Sequence, residues 1–108
     1  NDEAYVELAL AFAGRVLSEM PNTSTTERIT HAFKTALSRT PRPEETAYLE
    51  KLLERRLAFF QKDPIAMKDL LDGIKGWKAP KGVDQAQLAA WFYVTNILLN
   101  LDETITKG

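Results

Sequence analysis

The most apolar stretch of the chain runs from Leu88 to Lys107 and reads LAAWFYVTNILLNLDETITK. Apolar side chains cover more than one face of a helix built from this stretch, which predicts packing on two or three sides. A helix of that length spans about 30 Å, roughly the diameter of a small domain. We therefore expect a central helical rod around which the rest of the chain packs.

Helix-start patterns divide the chain before this rod into four further helical segments. Apolar residues three and four positions apart predict an amphipathic helix in each, while Ser24, Asp63 and Asp84 are suited to cap the helices that follow them. Prolines 43 and 64 suit the first helical position. The predicted elements are helices over Asp2–Glu19, Ser24 to about Ser38, Pro43 to about Lys62 and Pro64–Asp72, then a linker without regular structure over Gly73–Val83.

These segments predict an all-α fold. It is a small helical bundle of four long helices plus one short helix, with the C-terminal helix central. The length of 108 residues suits a single α-helical domain over residues 1–108. Because the chain begins within a helical pattern, we expect it to be an excised piece of a longer protein.

Composition argues against several classes of function. The chain has 14 basic and 15 acidic residues and a net charge of −1, whereas nucleic-acid binders usually carry a basic excess. Without cysteine, it contains no disulfide, thiolate nucleophile or cysteine-ligated metal site. The apolar run Leu88–Leu101 is shorter than the roughly 20 residues that span a bilayer, so we expect no membrane span.

Isolated residues do not assemble into a recognisable chemical site. His31 is the only histidine, and its position predicts a solvated side chain away from the apolar stripe of its helix. Trp77 lies among Lys75, Lys78 and Lys81, a mixture seen in proteins that bind single strands. The acidic overall balance favours a different role, in which Trp77 folds back over the bundle. We assign no catalytic, cofactor-binding or metal-ligating residue.

Polar residues at two crowded helix ends form one candidate cluster. Arg39 ends the second helix, and three further members lie at the end of the apolar rod. Because an unpaired buried charge costs several kcal/mol, we expect Arg39 to bond Asp102, Glu44 or Glu45. The alternative is a screened surface pair worth about 0–1 kcal/mol. The cluster comprises Arg39, Glu44, Glu45, Asn100, Asp102 and Glu103.

Two motifs resemble the C-terminal end of a planctomycete-type family, catalogued as domain of unknown function 1553. They are ITHAFKTALSRTPRPEE over Ile29–Glu45 and the rod over Leu88–Lys107, and the opening NDEAYVELALAFAGRVL is similar as well. The resemblance covers most of the chain and is weakest over Ile65–Val83. One departure is Arg42, where a small capping residue such as threonine is expected before the proline.

The resemblance implies an exported or periplasmic protein in which this segment is the terminal α-helical part. Full-length members of that family often carry a cytochrome-c-like domain near the N-terminus, which implies haem c elsewhere in the protein. The C-x-x-C-H attachment pattern is missing from this chain, so we expect no cofactor here. The expected partners are upstream domains of the same chain.

Three functional hypotheses follow. The first is a non-catalytic helical scaffold and interaction domain of a larger exported protein. The second is a composite enzyme active site formed with the upstream region, where Arg39, Trp77 or Asp102 would line a shared cleft. The third is a free-standing partner-binding module, which needs an exposed apolar patch larger than a few hundred Å². A polar cleft joining Arg39 to the end of the rod would favour the enzyme, whereas mutually buried stripes would favour the scaffold.

Overall fold

A computed structural model describes the backbone of residues 3–107 and the side chains of residues 3–102. Its elements are all α-helices, so the predicted all-α bundle of four long helices and one short helix is confirmed. The third and fourth helices begin and end at the predicted residues. The helices are α1 (Glu3–Glu19), α2 (Thr25–Leu37), α3 (Pro43–Lys62), α4 (Pro64–Asp72) and α5 (Gln85–Lys107).

Short polar caps explain where the helices begin. The Oγ of Ser24 accepts the backbone N–H of Glu27 at 3.1 Å, and the Glu27 carboxylate accepts the N–H of Ser24 at 3.3 Å. The predicted capping box of α2 is therefore present. Asp63 and Asp84 each accept the backbone N–H three residues further on, at 3.0 and 2.9 Å. Each such cap satisfies a donor that the first helical turn leaves free.

The final helix α5 lies at the centre of the bundle, as predicted. It contacts all four other helices, most extensively α1 and α3. Trp91, its largest buried side chain, is only 1% exposed. The buried apolar side chains of α5 are Leu88, Ala89, Ala90, Trp91, Phe92, Val94 and Leu98.

Small residues and one hydroxyl bring α1 close to α5. Thr95 is fully buried, and its Oγ1 donates to the carbonyl oxygen of Ala9 at 2.7 Å. Further along α1, a Cβ placed on Gly14 would lie 3.0 Å from the Cγ of Pro80. A larger residue at this position would push the loop before α5 away, so glycine permits the close approach.

The loop over residues 73–83 has no regular structure, as predicted, but it is anchored to the bundle. It turns at Gly76 and Gly82, whose φ angles of 83° and 80° favour glycine. Between the turns, Trp77 is half-buried and packs against the core together with Ile74 and Val83. The prediction that Trp77 covers the bundle is therefore confirmed.

Candidate interaction groove at the Arg39–Glu45 corner

The corner between α2 and α3 is held by one charged pair. The guanidinium of Arg39 donates through Nη1 and Nη2 to the two carboxylate oxygens of Glu45, each at 2.9 Å. The same guanidinium lies over the ring of Phe33, 4.7 Å from the ring centroid. Parallel hydrogen bonds of this kind are the strongest arrangement for arginine and a carboxylate. Of the three predicted partners of Arg39, Glu45 is the one that the structure pairs with it.

Glu45 also caps the helix in which it lies. Its Oε1 accepts the backbone N–H of Arg42 at 2.8 Å. The Arg42 side chain has no acceptor atom, so only this half of a capping box forms, and α3 still begins at Pro43. The hydrogen bond from Arg39, followed by that from the Arg42 backbone, lowers the pKa of Glu45 to about 2. The carboxylate therefore stays ionised and bonded well into the acidic range.

The backbone of Ser38 turns the chain so that this pair can form. Ser38 ends α2 in the left-handed region with φ of 59°, and its N–H donates to the carbonyl of Lys34 at 2.9 Å. This geometry is a common way to end a helix, although glycine is the usual residue there. The chain reverses directly after Ser38, which places Arg39 above Phe33 and beside the first turn of α3.

An apolar groove lies next to this corner, between α3 and the C-terminal half of α5. Its volume is about 220 Å³. Tyr48 of α3 is 61% exposed and Leu101 of α5 is 42% exposed, so both walls present apolar surface to solvent. Glu44 and Glu45 are the charged residues that line the groove, and Glu45 is already bonded to Arg39. The groove is lined by Phe33, Glu44, Glu45, Tyr48, Leu49, Ile97, Leu98 and Leu101.

The structure brings only part of the predicted polar cluster together. Asn100 is exposed, and its side-chain amide donates to the carbonyl of Asn96 in its own helix at 2.8 Å. Asp102 is half-buried, and neither residue lines the groove. The side chain of Glu103 lies outside the described residues. Among the described residues, the space between Arg39 and the end of α5 is thus bounded mainly by apolar side chains.

Tyr48 and Leu101 are the residues that the sequence did not single out as part of a site. Tyr48 flanks the inner stripe of α3, and Leu101 continues the apolar run of α5. Apolar residues at the edge of a stripe are the pattern that could have drawn attention to them, because such positions are covered only if a neighbouring element extends far enough.

Elsewhere in the described part of the chain, polar side chains are scattered. His31 is exposed on α2, as predicted. Among the described residues, no group of three histidine, aspartate or glutamate side chains is placed to share a metal ion. None of the described helices combines the length and apolarity needed to cross a membrane.

Comparison with known proteins identified no protein related to this chain. No protein-family model matches the chain, and no curated protein or solved structure shows significant similarity to it. The fold described above is therefore established by the helices and their packing alone. The resemblance to the domain of unknown function 1553 family stays a prediction that rests on its sequence motifs.

Proposed function

We propose that this bundle is a non-catalytic scaffold and interaction domain of a larger exported protein. It docks on upstream domains of the same protein through the groove between α3 and α5. The observation that carries the proposal is the pair Tyr48 and Leu101, two large side chains exposed on opposite walls of a groove lined mainly by apolar residues. Export and the upstream partners come from the family resemblance.

The shape and composition of the groove favour protein binding. Aromatic residues are enriched at protein interfaces and charged residues are depleted at their centres. The energetically dominant contacts usually occupy pockets that become fully desolvated. Here Tyr48 and Leu101 surround a depression whose floor includes Phe33 and Leu98, both buried. A large apolar side chain of the partner, inserted between them, would cover the remaining exposed surface.

The polar groups near the groove support a structural role rather than catalysis. Arg39 and Glu45 are bonded to each other, and Glu45 also holds the backbone of Arg42. Acid–base chemistry needs positioned groups within hydrogen-bond reach of the reacting atoms. Among the groove-lining residues, Glu44 is the exposed carboxylate that is not part of this pair. Glu44 could therefore act as one catalytic group, whereas acid–base catalysis by a pair needs two.

The proposal is tested by measuring association between this chain and the rest of the longer protein. Leu101→Asp should weaken binding at least about tenfold, since an interface core rejects an unpaired charge. The matched control is Leu8→Asp, because Leu8 is similarly exposed, at 54%, on α1 outside the groove. Equal loss of affinity in both variants would contradict docking through the groove.

The composite active site makes a different prediction for the same protein. Glu44→Gln would abolish turnover of a polysaccharide or small-ester substrate by the full-length protein while leaving the association of its parts intact. Under the scaffold proposal, Glu44→Gln leaves any turnover unchanged. Haem content measured with and without this domain provides the second comparison, and it should be independent of the bundle.

A further inference from the structure

The loop over residues 73–83 contains a short repeat that the proposed docking function does not use. Its central nine residues read IKG, WKA and PKG, so an apolar residue, a lysine and a small residue occur three times in succession. We call residues 73–83 the lysine loop. Because the pattern repeats every three residues, each apolar residue is followed directly by a lysine. This regularity suggests that the apolar residues and the lysines have different roles.

The structure gives the two kinds of residue opposite environments. Ile74 and Trp77 are half-buried against the core, and Pro80 lies against Gly14 of α1. The lysines at 75, 78 and 81 are all exposed. The apolar positions thus hold the loop on the bundle while the ammonium groups face solvent. A surface fixed before binding loses less conformational entropy when a partner docks.

The lysine loop is also a separate region of charge. It has three lysines and no acidic residue, although the chain as a whole has a net charge of −1, so the remaining residues together carry −4. The ion pairs found among the described side chains all involve other residues. Exposed Asp72 and Asp84 flank the loop on either side. The loop is therefore a local cluster of positive charge with a carboxylate at either end, on a chain whose remaining residues carry a net negative charge.

We propose that the lysine loop binds an acidic segment of a partner protein, with aspartate or glutamate side chains pairing with Lys75, Lys78 and Lys81. Trp77, which is half-buried, adds apolar contact surface. A nucleic acid or an anionic membrane is an extended negative surface and would also approach Asp72, Asp84 and the acidic remainder. A peptide segment can contact the loop alone. This surface is distinct from the groove, and the inference does not depend on it.

The test is a titration of the ¹⁵N-labelled chain with a short poly-glutamate peptide at low salt. The signals that shift should be the backbone amides of residues 73–83 and the indole N–H of Trp77. The indole N–H signal of buried Trp91 should not shift. Binding should weaken as salt rises, since exposed charges are screened. Replacing Lys75, Lys78 and Lys81 together by glutamine should reduce the affinity at least about tenfold.

A matched variant tests whether binding of the peptide depends on where the lysines lie or only on the net charge of the chain. Lys34, Lys51 and Lys62 are exposed on α2 and α3, and replacing all three by glutamine removes the same charge from other places. This control should retain affinity within about twofold, because its lysines lie outside the loop. Equal weakening in the two triple variants would overturn the proposal. Circular dichroism checks that both variants remain helical.

Two further probes test the class of partner. A single-stranded oligonucleotide of the same total charge and vesicles containing phosphatidylserine are titrated under the same conditions. The proposal expects both to bind more weakly than the peptide. Tighter binding of either probe that is lost with the loop lysines would overturn the assignment to an acidic protein segment.

Discussion

The two sides of α5 are packed by different means. Towards α1 the contact is tight, with buried Thr95 bonded to the carbonyl of Ala9 at 2.7 Å. Towards α3 the contact uses larger side chains, and the guanidinium of Arg56 lies 4.0 Å from the ring centroid of Tyr93. On this second side the groove remains open between Tyr48 and Leu101. We refer to them as the closed side and the open side.

This difference separates stability from recognition. Ala9 and Thr95, which meet on the closed side, are both fully buried, so their contact offers no surface to a partner. Large residues on the open side reach beyond the cover of the neighbouring helix and remain partly exposed. We therefore expect substitutions on the closed side to affect unfolding and those on the open side to affect binding.

The largest effect is expected at Trp91, the largest fully buried side chain of α5. Trp91→Ala should cost about 3–5 kcal/mol, because an almost completely buried indole leaves a cavity. Thermal unfolding should show a decrease in Tm of at least about 12 °C. Trp77→Ala, at a half-buried position, is the control and should lower Tm less. A change below about 3 °C for Trp91→Ala would contradict its central place.

On the closed side, Thr95→Val should cost about 0.5–1.5 kcal/mol, the net value of one hydrogen bond. Valine has a similar shape but cannot donate to the carbonyl of Ala9. Chemical denaturation measures the loss. Thr35→Val is the matched control. The Thr35 hydroxyl is exposed and donates to the backbone carbonyl of His31 in the same helix. If both substitutions lowered the free energy of unfolding equally, the hydrogen bond between α5 and α1 would contribute no more than one within a single helix.

On the open side, Leu101→Ala should change stability by no more than about 0.5 kcal/mol, because the side chain is 42% exposed at the edge of the core. Leu98→Ala, one helical turn earlier in α5 and fully buried, should cost about 2–5 kcal/mol. Urea midpoints of the two variants provide the comparison. A large loss of stability for Leu101→Ala would mean that the open side is part of the folding core.

The smallest expected effect concerns Glu45 and depends on pH. Its pKa is lowered from 4.5 to about 2 in the folded chain, so ionisation stabilises the fold. That contribution is present above the unfolded value and is lost as the pH falls from about 4.5 to about 2. The Tm difference between wild type and Glu45→Gln should accordingly shrink over this range.

Titration of the Glu45 carboxyl carbon by NMR checks the cause directly. Arg39→Met removes the guanidinium and should move the titration midpoint of Glu45 towards the ordinary glutamate range. The backbone bond from Arg42 remains in this variant and should prevent a complete return. A midpoint of about 4.5 in the wild-type chain would contradict the strength assigned to the pair.

The helices could be predicted from the sequence because their limits are set locally. Pro43 and Pro64 can begin a helix but cannot continue one, and the oxygen of Ser24 or Asp63 caps the turn that follows it. That Arg39 pairs with a carboxylate was also predictable, but the pair lies at the surface, as the alternative interpretation expected, and not at a buried helix end. The choice of Glu45 among three carboxylates depends on the reversal at Ser38, which the sequence pattern does not reveal.

The groove was not predictable for a related reason. Whether Tyr48 and Leu101 are covered depends on how the helices pack against one another, which is a tertiary property. Thr95 shows the opposite case. The sequence presents it as a polar interruption of the apolar run, yet it is fully buried, and its hydroxyl is satisfied by donating a hydrogen bond to the carbonyl of Ala9 in α1.

The closed side has a consequence for how the chain is made. The bond between Thr95 and Ala9 joins residues that are 86 positions apart. At a synthesis rate of about 5–20 residues per second, α1 leaves the ribosome about 4 to 17 s before its counterpart in α5. During that interval, the apolar stripe of α1 is without the helix that buries it. Until α5 emerges, the nascent chain therefore exposes apolar surface that the folded domain buries.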